Sequence, residues 1–248
     1  MTRHDGRAQD ELREVQMAPG YLRNPAGSVL VHMGETRVLC NASVDARVPA
    51  WLKGSEQGWV TAEYSMLPAA TDERSQREIT RGRPSGRTME IQRLIGRALR
   101  SVVDLTQLGE RTIWVDCDVL QADGGTRTAG ITGGFVALCL ALAKLRGEKQ
   151  LRRPCLRTLV AAISVGVVEG QPVLDLDYVE DSAAAVDMNV VRTEDGRYVE
   201  VQGTAEGAPY SRATMDAMLA LADTGIDRLI SHQRRVLGDA LDGLVIER

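Results

Sequence analysis

Asp181 and Asp187 stand near the two ends of Glu180-Asp181-Ser182-Ala183-Ala184-Ala185-Val186-Asp187-Met188-Asn189, directly after the apolar-acidic run Leu174-Asp175-Leu176-Asp177-Tyr178-Val179. The alternation reads as a strand, a short break and a second strand against a core, where an unpaired carboxylate is costly. The two aspartates are six residues apart, an even separation that returns to the same face of an extended chain. They converge if the second strand begins near Ala183. Paired hard oxygens at a sheet edge suit Mg²⁺, or transfer of a proton to an oxygen leaving group. On this segment alone, two helix caps or strand-end carboxylates are the slightly better reading.

A second segment changes the balance. Asp123-Gly124-Gly125-Thr126-Arg127-Thr128 lies between an apolar run at 112–120, which predicts a strand, and a helical pattern that starts near Ala129. Two glycines let consecutive amides turn inward as a nest, and the N-terminus of the next helix adds a favourable field for an anion. Arg127 brings a planar fork suited to phosphate oxygens, and the Thr126 hydroxyl is a further donor. The loop lacks the Gly-Lys-Ser/Thr ending of a Walker A motif and is not a dinucleotide fingerprint. The plainer alternative is a Gly-Gly turn with Thr128 as the helix cap.

The third segment is Ser85-Gly86-Arg87-Thr88-Met89-Glu90-Ile91-Gln92-Arg93-Leu94-Ile95-Gly96-Arg97. Together with 58–68, 116–128 and 178–182 it closely resembles the bacterial ribonuclease PH family, in the family's order and over nearly the whole chain, from about Arg7 to His232. The resemblance implies a phosphate-dependent 3′–5′ exoribonuclease that trims tRNA precursors, releases nucleoside diphosphates and runs reversibly as a nucleotidyltransferase. It implies a phosphate site at Arg87, Gly125, Thr126 and Arg127, and Asp181 and Asp187 as catalytic carboxylates that also hold Mg²⁺, with Mn²⁺ left open. It further implies RNA rather than DNA as partner, and a homohexamer built as a trimer of dimers. Arg74, Arg77 and Arg81 match an arginine-rich loop that grips tRNA, while Ala69 falls where relatives often carry another arginine. Two rivals stand beside this reading. A non-catalytic RNA-binding ring subunit of an exosome-like assembly is expected to lose Arg127 or one aspartate, and a hydrolytic metal nuclease would leave the phosphate nest idle.

The elements that must position these residues follow from periodicity. Residues 28–33 and 36–44 around Gly34-Glu35 predict a tight hairpin, and 58–65 predicts a third strand. Residues 69–86 are polar, arginine-rich and hold Pro84 and Gly86, a long connection of the functional kind. A helix follows with Ile91, Leu94, Ile95, Ala98 and Val102 on one face, and Arg93, Arg97 and Arg100 on the solvated face opposite. Further on, the pattern predicts a helix over 130–146 with Ile131, Phe135, Leu138, Leu142 and Leu145 inward. Strands are expected at 158–168, 172–178, 184–192 and 197–203, with Asp195-Gly196 as a turn, and a last helix over 211–236. The expected fold is α+β, a duplicated strands-plus-helix unit in which mixed β-sheets pack on helices, forming one domain over 1–248 with halves at about 10–110 and 111–240.

Composition sets the outer limits. The chain has 248 residues, is 44% hydrophobic and 26% charged, and carries a net charge of −4, so any RNA contact must come from a local patch. Such a patch exists: between Arg74 and Arg100 there are eight arginines against Glu78 and Glu90 alone, a local +6. Cys40, Cys117, Cys139 and Cys155 are widely spaced, which predicts buried free thiols, no zinc and a cytoplasmic setting. The polar N-terminus and the lack of a long apolar run predict no membrane segment. His4, His32 and His232 are isolated, and no nucleophile elbow is present.

Overall fold

The computed structural model describes residues 3–247, apart from the side chains of Ile79 and Arg81. Five strands form the first sheet: β1 Val15–Pro19, β2 Gly27–Met33, β3 Thr36–Asp45, β4 Trp59–Met66 and β5 Thr112–Gln121, in the order β1-β2-β3-β5-β4. The predicted hairpin is present, with Met33 opposite Thr36 and Gly34 at φ +57, a backbone region that glycine enters without steric cost. In β5, Ile113, Val115, Cys117 and Val119 are buried, and Trp114, Asp116 and Asp118 alternate onto the other face. Strand β1 was missed, because Val15-Gln16-Met17-Ala18-Pro19 is short and only partly buried.

β4 runs parallel to β5, and α1, Gly86–Ser101, lies within the connection between them. This βαβ arrangement places β5 between β3 and β4. A boundary near residue 110 therefore does not follow the sheets: the strand assigned to the second half is central to the first sheet. Ile91, Leu94, Ile95, Ala98 and Leu99 of α1 are buried as the 3.6-residue period requires. The expected solvated face is only partly solvated. Arg97 pairs with Glu200 at 2.7 Å, and Arg100 stacks over Trp59 at 4.3 Å while donating to the Val60 carbonyl. After the short α2, Leu105–Leu108, and β5 comes α3, Thr126–Gly147.

Two corrections concern α3. It begins at Thr126, earlier than the predicted residue 130, because Gly125 in a left-handed conformation serves as its N-cap. Its burial is also not one-sided: Gly130, Gly133 and Gly134 are buried along with the leucines. A Cβ on Gly133 would lie 2.4 Å from the Val31 side chain, so glycine is what lets the helix press onto β2. The helix packs on β2 and β3 on one side and on β6, Val160–Val168, on another. It is long and apolar enough to cross a membrane, yet 83% of its apolar window is buried within the protein, as in a core helix. Each large side chain so enclosed contributes about 1.5–3 kcal/mol.

The second sheet is antiparallel throughout, where a mixed one was expected. It comprises β6, β7 Gln171–Leu174, β8 Val186–Thr193 and β9 Tyr198–Ala205 in the order β7-β6-β8-β9. The strand predicted to reach residue 178 stops at Leu174. Asp175 takes φ +56, and a six-residue helix, α4 Tyr178–Ala183, follows. The physical reason is a capping box: the Asp177 side chain accepts the Glu180 amide, and the Glu180 side chain accepts the Asp177 amide. The last helix, α5 Arg212–Leu237, packs on β6, β7 and β8, where Arg192 of β8 meets Asp223 and Asp227. The α+β expectation holds, with two sheets and interposed helices.

Candidate active site

Three helix N-termini and the start of β8 converge at one end of the second sheet. The first is the 123–127 loop. Gly124 and Gly125 take φ +71 and +64, and the step from left-handed Gly125 into the right-handed helix at Thr126 is the change of hand from which an amide nest is made. The loop is held from below by Thr36, whose hydroxyl accepts the Asp123 amide and donates to the Gly124 carbonyl, at 2.9 and 2.7 Å. Thr128 is not the cap. Its hydroxyl donates back to the Gly125 carbonyl, and no side chain caps the first-turn amides of α3 among the described residues.

Arg127 sits in that first turn with its guanidinium fixed from two elements. Nη1 donates to Gln202 on β9 at 3.0 Å and lies 3.4 Å from Glu90 on α1, while the Gln202 amide donates to Glu90 at 2.8 Å. The Thr126 hydroxyl lies 2.8 Å from the Tyr64 hydroxyl. Burial raises the Tyr64 phenol above its ordinary range, so it stays protonated. With Tyr64 as donor, Thr126 keeps its own proton for a ligand.

Arg87 is the second residue of α1 and is exposed, with no ion pair among the described residues. Its helix start is built by Ser85, which accepts the Thr88 amide at 3.1 Å, and by Glu78, which accepts the Thr88 hydroxyl at 2.6 Å. Both Arg87 and Arg127 are near enough to Tyr64 and to Asp181 for their charges to be felt there.

Asp181 and Asp187 are near enough for the charge of one to act on the other, and strand parity is not the reason. Asp181 is carried by α4 and Asp187 by β8, so a helix end and a strand start bring them together. The register puts Asp187 opposite Thr204 and Asn189 opposite Gln202, the face that also carries the Arg127 partner. Asp181 is exposed as a residue, but protein crowds its carboxyl on one side. That partial desolvation raises its pKa, and the Asp187 carboxylate pushes the same way, while Arg87, Arg127 and Arg13 pull it down. Neither carboxylate makes a hydrogen bond or an ion pair among the described residues.

The other acids of this stretch are fully engaged, by residues the sequence reading passed over. Arg3, Arg7 and Arg13 are all buried. Arg3 bonds Glu180 and the carbonyls of Leu174 and Asp175, and Arg7 reaches Glu180 at 3.3 Å and the Asp175 carbonyl at 2.8 Å. His4 lies 2.7 Å from Asp177. The available signal was the acidic run itself, since acids in an apolar segment demand cations and the N-terminal segment supplies them.

Two unpaired, mutually repelling carboxylates offering hard oxygens fit a divalent cation such as Mg²⁺ or Mn²⁺, which would relieve their repulsion. Two guanidinium groups beside a nest fit a phosphate. Arg74 and Arg77 are exposed on the 67–85 connection, which holds a short 3₁₀ turn at Glu78–Arg81. The Arg81 side chain lies outside the described residues.

Comparison with known proteins gives the family and the fold. The chain is 55% identical over 238 residues to ribonuclease PH of Syntrophomonas wolfei, covering 96% of this chain and 100% of that one. It is 56% identical over 243 residues to ribonuclease PH of Bacillus subtilis, covering 98% and 99%. In fold it is similar to a chain of the Archaeoglobus fulgidus exosome with RNA bound to the active site, with a TM-score of 0.76, 22% identity and coverage of 93% and 92%. An archaeal exosome core chain gives a TM-score of 0.70 at 19% identity, covering 93% of this chain and 89% of that one. Residues 11–144 match domain 1 and residues 158–225 match domain 2 of the 3′ exoribonuclease family, and the chain belongs to that family.

Proposed function

We propose that the protein is a phosphate-dependent 3′–5′ exoribonuclease that trims the 3′ ends of tRNA precursors. The observation that carries this reading is the Gly124-Gly125 turn at the start of α3, packed against residues 176–178 ahead of the helix that bears Asp181, with Arg127 in the first turn held by Gln202 and Glu90. Inorganic phosphate rests on the nest amides, the Thr126 hydroxyl and the two guanidinium groups. One of its oxygens attacks the phosphorus of the last phosphodiester, and the bond from that phosphorus to the 3′ oxygen of the preceding nucleotide breaks. The freed 3′ oxygen takes a proton, and a nucleoside diphosphate leaves an RNA one nucleotide shorter. The attacking phosphate gives up a proton as the new bond forms, and the Asp181 and Asp187 carboxyls are the groups that can relay one. Asp181 and Asp187 are the residues that would hold Mg²⁺ or Mn²⁺, which supplies charge stabilisation at the leaving oxygen when bound. Because phosphate is both nucleophile and site ligand, the same residues serve the reverse nucleotidyl transfer.

Product identity tests this reading. With phosphate present the enzyme should release nucleoside diphosphates, and without it activity should collapse. Monophosphates formed regardless of phosphate would mean hydrolysis, and binding without any product would mean a non-catalytic subunit.

The proposal extends to assembly and location. A homohexamer, as a trimer of dimers, would gather six segments of local charge +6 in a chain that is net −4. Four buried free cysteines support a reducing cytoplasm. Changing Arg74 and Arg77 together to Ala should weaken binding of structured tRNA precursors and flatten its salt dependence, since each phosphate contact contributes about 0.7–0.9 to the slope. Short single strands should be cut at nearly the normal rate. Equal impairment on both substrates would move these arginines into the reaction centre.

A further inference from the structure

The nest and the aspartates come from segments far apart in sequence, and one side chain from a third segment joins them. Arg13 is 6% exposed, and its fork grips both oxygens of the fully buried Asp175, with Nη2 at 2.7 Å and Nε at 3.1 Å. Its own amide donates to the same carboxylate at 2.8 Å. The remaining nitrogen, Nη1, turns the other way and donates to the carbonyl of Asp123, at the head of the nest. Arg3 and Arg7 do not do this; their partners all lie at 174–180 or within the N-terminal segment.

The two segments also touch directly. A Cβ on Gly124 would stand 2.6 Å from the Leu176 carbonyl oxygen, and the Asp123 carboxylate accepts the Tyr178 amide at the start of α4 at 3.2 Å. The turn that Arg13 holds at Asp175 is two residues ahead of the cap of α4, the helix that carries Asp181.

We propose that Arg13 is a positioning residue for the reaction, tying the phosphate nest to the turn that aims Asp181. This rests on the phosphorolytic reading above. Arg13 touches no substrate. It sets the spacing between the bound nucleophile and the carboxylates, and displacement of a reacting group by about 1 Å costs on the order of 10²-fold in rate. A buried ion pair of this kind adds geometric definition more than net stability. Only a planar fork can hold Asp175 by two oxygens and Asp123 by a third bond; a lysine ammonium supplies charge without that geometry.

The test compares Arg13→Lys with the wild type, and with a charge-neutral pair, Arg13→Met together with Asp175→Asn. Melting temperature, RNA binding, kcat and the KM for inorganic phosphate are measured, with amide hydrogen exchange at 123–128 and 177–183. The expected result for Arg13→Lys is a near-normal melting temperature and RNA affinity, a KM for phosphate raised about tenfold, and kcat lowered about 10–100-fold. Exchange should speed up in both segments. The neutral pair, which leaves no buried charge uncompensated, should show the same kinetic pattern and decides the matter if the lysine variant does not fold. Wild-type KM and kcat in a folded variant would overturn the proposal. So would a fall in kcat that only matches a reduced folded fraction, with KM unchanged. If the wild type instead releases monophosphates without phosphate, the phosphorolytic reading fails first. The tie itself is then still judged by exchange, and unaltered exchange at both segments would overturn it.

Discussion

Asp187→Asn should lower turnover by about 10²–10⁴-fold, the range spanned by a positioned acid–base group, while RNA affinity stays close to normal. Asn keeps the shape and loses the charge. Asp187 has no hydrogen-bond or ion-pair partner among the described residues, so its removal orphans nothing. Stability should move the other way. Partial desolvation and the Asp187 charge raise Asp181 above its ordinary value. A raised carboxyl penalises the folded state once the pH climbs past its unfolded value, and the penalty is complete above the folded one. Removing the Asp187 charge reduces that penalty, so in metal-free solution the variant should melt slightly higher than the wild type at neutral pH and show no such gain at acid pH, where the Asp181 carboxyl is protonated in both the folded and the unfolded state. A more stable, inactive enzyme is the signature of a carboxylate kept for chemistry. A variant with lowered melting temperature and proportionate loss of RNA binding would make Asp187 a structural residue instead.

Much of this site was legible in the sequence, for reasons that differ by element. The nest could be read because two adjacent glycines before a helix leave few alternatives, and the structure puts both at positive φ. The hairpin at Gly34-Glu35 and the turn at Asp195-Gly196 were equally explicit, each with glycine at positive φ. The run from Leu174 to Val179 misled, since alternation of apolar and acidic residues has the strand period and conceals a capping box whose partners are three residues apart. Local pattern carried no sign that Asp175 would be left-handed and gripped from residue 13. The fixing of Arg127 by Glu90 and Gln202 was likewise out of reach, because it joins α1, α3 and β9. The period of α3 looked amphipathic only because the leucines were counted and the glycines were not, and those glycines are buried with them.

Arg127→Ala should raise the phosphate concentration needed for half-maximal rate by about 10–150-fold, the equivalent of the roughly 1.5–3 kcal/mol attached to a charged hydrogen-bonding partner. The fold should survive, because Glu90 and Gln202 remain bonded to each other at 2.8 Å after the guanidinium is gone. RNA binding measured without phosphate should be little changed. Arg87→Ala should act in the same direction and by a comparable amount, since its charge at the start of α1 acts on Asp181 as that of Arg127 does. The two losses should not simply add, because both residues face one anion and a single site can be emptied only once. Arg127→Lys separates charge from geometry: it should recover part of the phosphate affinity through its charge but not the bidentate contact. Unchanged phosphate dependence in Arg127→Ala would reduce the Gly124-Gly125 nest to an ordinary helix start, with the anion bound elsewhere. A rise in the requirement for RNA rather than phosphate would place Arg127 on the substrate strand, and the nucleophile would then have to be sought on the other side of Asp181.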